Sequence, residues 1–250
     1  MFPTIQIGPL SLQVPGLVLL IGLWFGLSLS ERRARQLGEN PGYLYNLVFI
    51  ALIAGLVGAR LSYAVTYPGA FSASPLSLIS INSGLLDPIA GASLAAGAAA
   101  IYIYRKQLPL WATLDALTPL FAVMAIAIGV SHMASGNAFG KPTDLPLGIQ
   151  LWGEIRHPTQ IYEVILASLI LIAIQLVDKT SWSHVPGNTF ITFIALSAFS
   201  RIFLEAFRGD SILIGSGLRT AQLIAWVLLS ICLFVLAMRI HNSQIEAEAS

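Results

Sequence analysis

Seven stretches of about twenty residues, each almost free of charge, recur along the chain, near 14–30, 44–66, 88–104, 112–133, 159–177, 188–207 and 217–238. A helix needs roughly 20 apolar residues to cross the hydrocarbon core of a bilayer. The remainder is too apolar to turn these runs into the interior of a soluble globule: 56% of the residues are hydrophobic and 10% charged, where a soluble domain carries about 25% charged residues. The same numbers exclude a disordered chain. The expected fold is all-α, a polytopic protein of seven transmembrane helices forming one integral membrane domain over residues 1–250, with 241–250 a polar, frayed cytoplasmic tail. The third span is Ala/Gly-rich and the weakest. The first is expected to be retained, because no basic residue precedes it and Leu27-Ser28-Leu29-Ser30-Glu31 is a poor cleavage site.

Orientation follows from the lysines and arginines between spans. Arg32, Arg33, Arg35, Arg105, Lys106, Lys179 and Arg239 fall on one side, against Lys141, Arg156 and Arg208 on the other. The N-terminus is therefore expected outside, the C-terminus in the cytoplasm, and the two longest loops, 67–86 and 134–158, outward.

Several chemistries are excluded. A net charge of +1 gives nothing to grip a nucleic-acid backbone. One cysteine, Cys232, rules out a disulfide framework and a cysteine metal site, and no histidine pair has metal-ligand spacing. The lysines, at 106, 141 and 179, leave none in the last helix for a retinal-type Schiff base. Neither a Gly-x-Ser-x-Gly elbow nor a phosphate-binding loop is present. Small residues at Gly55, Gly58, Gly91 and Ala95 suit close helix packing.

What remains are ionisable groups at membrane depth, which cost about 2.5–3.5 kcal/mol each on insertion scales. Arg60 lies toward the outer end of span two, where snorkelling to the headgroups and a buried role are both open. Arg201, Glu205 and Arg208 stand at i, i+4 and i+7, one helical stripe. Such a stripe reads as an ion-pair network between helices or as a site for an anionic headgroup, since a guanidinium fork fits a phosphate. Arg156-His157-Pro158-Thr159-Gln160-Ile161-Tyr162-Glu163 opens span five. An interfacial cap accounts for Tyr162 and Arg156, but not for His157, Gln160 and Glu163 at the same depth. Asp115 is read as a structural cap in the first turn of span four, and His132 lies at the far end of that span.

Together these residues resemble the bacterial prolipoprotein diacylglyceryl transferase family. Residues 156–163 look like its Arg-His-Pro-Ser-Gln-Leu-Tyr-Glu, residues 201–208 are similar to its Arg-x-x-x-Glu-x-x-Arg, and Gly58-Ala59-Arg60-Leu61-Ser62-Tyr63 to its Gly-Gly-Arg-x-x-Tyr. Order and spacing agree over about 14–239. Elsewhere the chain departs from the family. Ala90-Gly91-Ala92 stands for His-Gly-Gly, and Val14-Pro15-Gly16 for Trp-Tyr-Gly. In the fourth-span signature Arg-x-Gly-Asn-x-x-Asn-Gly-Glu-x-x-Gly only Gly136 and Gly140 match, with Gly129 for the arginine, His132 for the first asparagine and Asn137 for the glutamate.

The resemblance implies transfer of a diacylglyceryl group from phosphatidylglycerol to the lipobox cysteine of a prolipoprotein signal peptide. It also implies a bacterial inner membrane and no cofactor or metal. The partners are then phosphatidylglycerol, the signal peptide and the surrounding membrane lipids. On that reading Arg201 and Arg208 take the phosphate, Arg60 or Arg156 closes the cage, Glu205 orients the arginines, and His132 replaces the missing base. Asn137 and Gln160 hold headgroup hydroxyls, with His157, Tyr162, Glu163 and Gly140 completing the headgroup site. Arg60, Arg156, Arg201 and His132 are expected around one lipid-facing cavity at the outer leaflet. A non-catalytic lipid- or lipoprotein-binding relative is the alternative. A small transporter fits less well, because the charges gather at one face.

Overall fold

The computed structural model describes residues 4–7, 10–69, 86–215 and 217–249. Most of the expected 67–86 loop lies outside them, as does Ser250. Among the described residues the chain forms seven helices: α1 Val14–Gln36, α2 Pro41–Thr66, α3 Pro88–Lys106, α4 Leu110–Ser135, α5 Thr159–Val177, α6 Asn188–Phe207 and α7 Thr220–Ala249. Six of them are long and apolar enough to cross a membrane, all but α3. The Ala, Gly and terminal Arg105-Lys106 of α3 dilute its hydropathy.

The helix starts follow local rules. Asn40 Oδ1 accepts from the Gly42 amide at 2.9 Å, and Asp87 Oδ1 from the amides of Ile89 (3.0 Å) and Ala90 (3.2 Å). Each cap precedes a proline in the first turn, where no amide is missed. Two helix ends lie beyond the expected spans. Helix α1 runs on through Arg32, Arg33 and Arg35, whose cations suit a helix C-terminus. Helix α7 continues to Ala249 rather than fraying, its last residues being Glu and Ala, good helix formers. The 134–158 loop contains a hairpin, β3 Ile149–Leu151 with β4 Glu154–Arg156, turned at Trp152-Gly153 with both residues at positive φ. Two further short hairpins pair β1 Thr4–Ile7 with β2 Leu10–Gln13, and β5 Leu213–Ile214 with β6 Leu218–Arg219.

The chain divides into a smaller unit, Gly38–Thr113, and a larger one, Met1–Leu37 with Leu114–Ser250. In the smaller unit α2 and α3 pack through their small residues. A Cβ on Gly91 would stand 2.9 Å from Ala59 Cβ and from the Gly55 carbonyl oxygen, so the backbones meet at a distance that side chains forbid.

In the larger unit the largest fully buried side chains are mostly polar, while many large apolar ones are turned outward. Of the eight largest fully buried side chains among the described residues, only Ile174 is apolar; the others are Gln160, Glu205, Asn188, Thr118, Thr189, Asp115 and Ser30. Leu20, Ile21, Trp24 and Phe234 are turned out. That distribution suits a solvent of lipid, where polar groups must find partners within the protein. Pro119 interrupts α4. Next to it the Leu120 amide donates to Ser30 Oγ of α1 at 3.1 Å. Gly26 permits the approach, for a Cβ there would lie 3.1 Å from the Leu120 Cα.

Asp115 was expected to cap its own helix and instead caps another. Its carboxylate accepts from the amides of Gly187 (2.5 Å) and Phe190 (2.8 Å), opening α6. The first amides of any helix have no internal acceptor, and α6 has no side-chain cap of its own. Arg239 adds bonds to the Pro186 carbonyl (2.7 Å) and Asn188 Oδ1 (2.9 Å) at the same end. Cys232 packs against Ile191 and Ala195, a core residue as its apolar span suggested.

Candidate functional site

The site is built on the ends of three helices and the loop that joins two of them. Residues 136–142 leave α4 by way of Gly136 and Ala138, both at positive φ. The loop is then stitched down on two sides. The Lys141 amide donates to the Phe207 carbonyl at 2.8 Å and the Gly209 amide to that of Phe139 at 2.9 Å, tying it to the end of α6. The His157 amide donates to the Lys141 carbonyl at 3.0 Å and Thr159 Oγ1 to that of Ala138 at 2.6 Å, tying it to the start of α5. Gly140 sits at the crossing, where a Cβ would run into the His157 carbonyl and Cβ. Of the two family glycines kept in this segment, Gly140 is therefore required by backbone approach.

On that platform stands Glu205, 1% exposed. Its Oε1 meets Arg201 Nη2 at 2.7 Å and lies 3.9 Å from Arg208 Nε, and its Oε2 accepts from Ser211 Oγ at 2.5 Å. Glu205 thus touches both arginines, as their spacing suggested. Arg208, however, has left the helix: α6 ends at Phe207 and Arg208 is extended. Its Nε and Nη2 both donate to Asp210 at 2.9 Å, a bidentate pair. Burial alone would depress the Arg208 guanidinium; the Asp210 bonds, with Glu205 and Glu163 nearby, hold it above its ordinary value.

Glu163, in the first turns of α5, lines a narrow crevice with Arg208, Ala138, Thr159 and Leu204. Its charge acts on both Arg201 and Arg208. Its Oε2 is 2.8 Å from His132 Nδ1, at the end of α4. His132, Glu163, Arg201, Glu205 and Arg208 thus form one linked group in the larger unit. With Asp210 and Glu163 included, the acids of this group outnumber the two arginines. Arg201 is the arginine left open. Its side chain is 37% exposed, and apart from the Glu205 contact its donors have no acceptor among the described residues.

The remaining candidates divide. Gln160 is buried, with Nε2 donating to the Asn137 carbonyl at 2.9 Å and Oε1 unpartnered. Asn137 therefore contributes its backbone here. His157, Tyr162 and Phe207 form an aromatic cluster with ring centroids 5.2–6.4 Å apart, and His157 Nδ1 is buried without a partner. Arg156 is held within its own loop. It donates from Nη1 to the Gly140 carbonyl (3.2 Å) and from Nη2 to Glu154 (2.5 Å), and stacks over Phe139 at 5.1 Å. Arg60 lies in the smaller unit, 7% exposed, so it is enclosed rather than snorkelling.

Asp210 and Ser211 were missed by sequence reading. An acid two residues beyond Arg208 was a usable signal; nothing marked the serine. Among the described residues no group of three or more His, Cys, Asp or Glu could hold a metal ion.

Comparison with known proteins bears on this arrangement. The profile of the family described as prolipoprotein diacylglyceryl transferase matches residues 3–238. A Synechococcus elongatus protein named phosphatidylglycerol–prolipoprotein diacylglyceryl transferase is 32% identical over 239 residues, covering 89% of this chain and 82% of the relative. One of the same name from Symbiobacterium thermophilum is 32% identical over 247 residues, 93% and 90% of the two chains. Another, from Thermus thermophilus, is 37% identical over 152 residues, 60% and 54%. With the profile spanning nearly the whole chain and the polar cluster formed by residues of its motifs, this protein belongs to the prolipoprotein diacylglyceryl transferase family.

Proposed function

We propose that the chain moves the diacylglyceryl group of phosphatidylglycerol onto the lipobox cysteine of a prolipoprotein. It does so as a single membrane domain in a bacterial plasma membrane. It crosses that membrane seven times, α3 included, with the N-terminus outside and the C-terminus in the cytoplasm. The observation that carries this reading is Arg201, an arginine held by a fully buried glutamate yet open to a ligand.

The chemistry asks two things of the protein. The cysteine sulfur attacks the glycerol carbon that bears the phosphate. A carbon–sulfur bond forms, the carbon–oxygen bond breaks, and its electron pair leaves with glycerol phosphate. Negative charge grows on the departing phosphate, where a preorganised guanidinium is worth most. Arg201 meets that need, fixed by Glu205, while Arg208 is fixed by Asp210 and orients the same carboxylate. Arg60 is kept as a headgroup contact on the strength of its motif, and Arg156 as a brace of the 136–158 loop with its Nε still free. The unpartnered Gln160 Oε1 and His157 Nδ1 suit glycerol hydroxyls.

The acceptor thiol, with a free pKa of about 8.5, must lose its proton. His132 takes it on Nε2. Its Nδ1 proton is donated to Glu163, which selects that tautomer, as a carboxylate does in other imidazole bases.

The test is direct. Purified protein is given phosphatidylglycerol and a peptide with a lipobox cysteine, and thioether-linked lipid and glycerol phosphate are measured. Both should form, and Arg201→Ala should abolish both. Neither product above a detergent blank would overturn the assignment. A second reading, a lipid-binding relative without catalysis, has the replacements at Ala90 and Gly129 behind it. Retained phosphatidylglycerol binding without product would favour it.

A further inference from the structure

At the other end of the larger unit is a cavity that the transfer reaction does not use. Glu205 and the start of α6 are seventeen residues apart, about 25 Å along the helix. Near that start, the C-terminal turn of α1, the end of α5 and the Ser181–His184 turn line an open cavity of about 660 Å³. Its polar lining includes Arg32, Arg33, Gln36, Gln175, Lys179 and His184, with Asp178 beside them. That volume is in the range of small-molecule sites.

Its chemistry is that of an anion site. Three cations, Arg32, Arg33 and Lys179, stand against two carboxylates, Asp178 and Asp115, the latter close enough to act on Arg33 and Asp178. Arg33 is 6% exposed, and burying a charge is tolerated only where partners answer it. Asp178 Oδ1 answers Nη2 at 2.9 Å, and Gln36 Oε1 accepts from Nη1 at 3.5 Å. Arg33 Nε is buried with no acceptor. The Arg33 guanidinium behind the rim is therefore only partly answered by Asp178 and Gln36. Arg32, Gln175, Lys179 and His184 are exposed at the rim and can close on a ligand without dismantling the core.

We propose that this cavity binds a phosphate anion, independently of the reaction at Arg201. The phosphate is the headgroup of an anionic phospholipid or a free phosphate. Its contacts are Arg32 and Lys179 at the rim, with Arg33, held by Asp178, adding its charge from behind them. A guanidinium and an ammonium so placed match phosphate oxygens with charge-assisted bonds.

Full-length Arg201→Gln protein in detergent provides the background, so that the first headgroup site is weakened. Dioctanoyl phosphatidylglycerol is titrated by calorimetry, then inorganic phosphate in a separate arm. Arg33→Gln risks unfolding, because it strands Asp178, so the reporting variant is Arg32→Gln/Lys179→Gln, with folding checked by thermal melting. One equivalent of lipid should bind, and at least about tenfold more weakly in that double variant. Inorganic phosphate binding to the same residues and displacing the lipid identifies free phosphate as the ligand; lipid binding untouched by phosphate identifies the headgroup. Binding of neither probe, or binding unchanged by the double substitution, overturns the proposal. Since the transfer assay reads product at Arg201, failure there and failure here are separate results.

Discussion

His132 and Glu163, 31 residues apart in the chain, meet at 2.8 Å between Nδ1 and Oε2. One closes α4 and the other sits in the first turns of α5, so the pair forms only when the loop between them is folded. The family's fourth-span signature has an asparagine where His132 stands, and the pairing with Glu163 of a separate motif gives that change a chemical meaning. A histidine alone at a helix end is most simply structural; one paired with a half-buried carboxylate is the proposed base, with its other ring nitrogen left for the thiol.

Replacing His132 should therefore separate chemistry from binding. His132→Asn removes the proton acceptor and should lower kcat by about 10²–10⁴-fold, with KM for phosphatidylglycerol little changed. Glu163→Gln loosens the orientation of the ring and withdraws a charge that acts on Arg201 and Arg208, and should cost about 10–100-fold in kcat. Steady-state kinetics on the lipobox peptide measure both. A loss confined to KM would remove His132 from the proton transfer.

The two arginines of the stripe should differ. Arg201→Ala removes an open guanidinium and should reduce kcat/KM by about 10²–10³-fold, the loss usual for a transition-state donor. Arg201→Lys should recover little, because an ammonium cannot hold Glu205 and a phosphate with one planar fork. In Arg208→Ala the missing group is bound to Asp210, so the main effect should be a lower melting temperature with a smaller loss of rate. Equal kinetic losses at the two positions would show that the Asp210 pair opens to substrate.

The apolar runs announced the helices because lipid removes the ambiguity that water leaves. A segment of that length and hydropathy has one way to satisfy its backbone, and α5 and α6 fall at the expected residues. The arginine–glutamate stripe was legible from helical spacing alone. Arg208's departure was not, since nothing in residues 201–208 says that α6 stops at Phe207; the chain is held there by the bonds of the Lys141 amide to the Phe207 carbonyl and of the Gly209 amide to the Phe139 carbonyl, which tie it to the distant loop after α4. Asp115 was misread for the same reason. Sequence shows an acid near a helix start, but only the fold shows which start, and the amides it serves lie more than 70 residues away. Glu163 joins the arginines only through tertiary structure, whereas Asp210 stands two residues from Arg208 and was within reach of the sequence.

Asp115 should be a determinant of stability rather than of catalysis. Its carboxylate satisfies two amides at the buried start of α6, and Asp115→Ala leaves both without acceptors. A lost buried acceptor costs about 1–3 kcal/mol, so the variant should melt several degrees lower in detergent. Product formation by its folded fraction should be unchanged. Asp115→Asn keeps an oxygen for one amide and should fall between the two. A variant with normal melting but lost activity would place Asp115 in the reaction instead.

Asp87 gives a prediction in pH. Its Oδ2 accepts from Ser62 Oγ at 2.8 Å and its Oδ1 from the amides of Ala90 and Ile89. Those bonds, the Ser62 bond first, favour the ionised carboxyl and hold it below the ordinary carboxylate range. Unfolded, the same group titrates near its usual value of about 3.9. A carboxyl held lower in the folded state contributes its full stability above the unfolded value and loses it as pH falls through the folded one. The bonded pair links the end of α2 to the start of α3, so the loss should be felt by the smaller unit. The wild-type protein should melt above Asp87→Asn at pH 7, and the gap should close as pH is lowered through 4 toward 2. Melting curves of the two proteins in one detergent, taken at half-unit intervals, measure it. A gap that stays constant over that range would mean that the cap does not depend on the charge of Asp87.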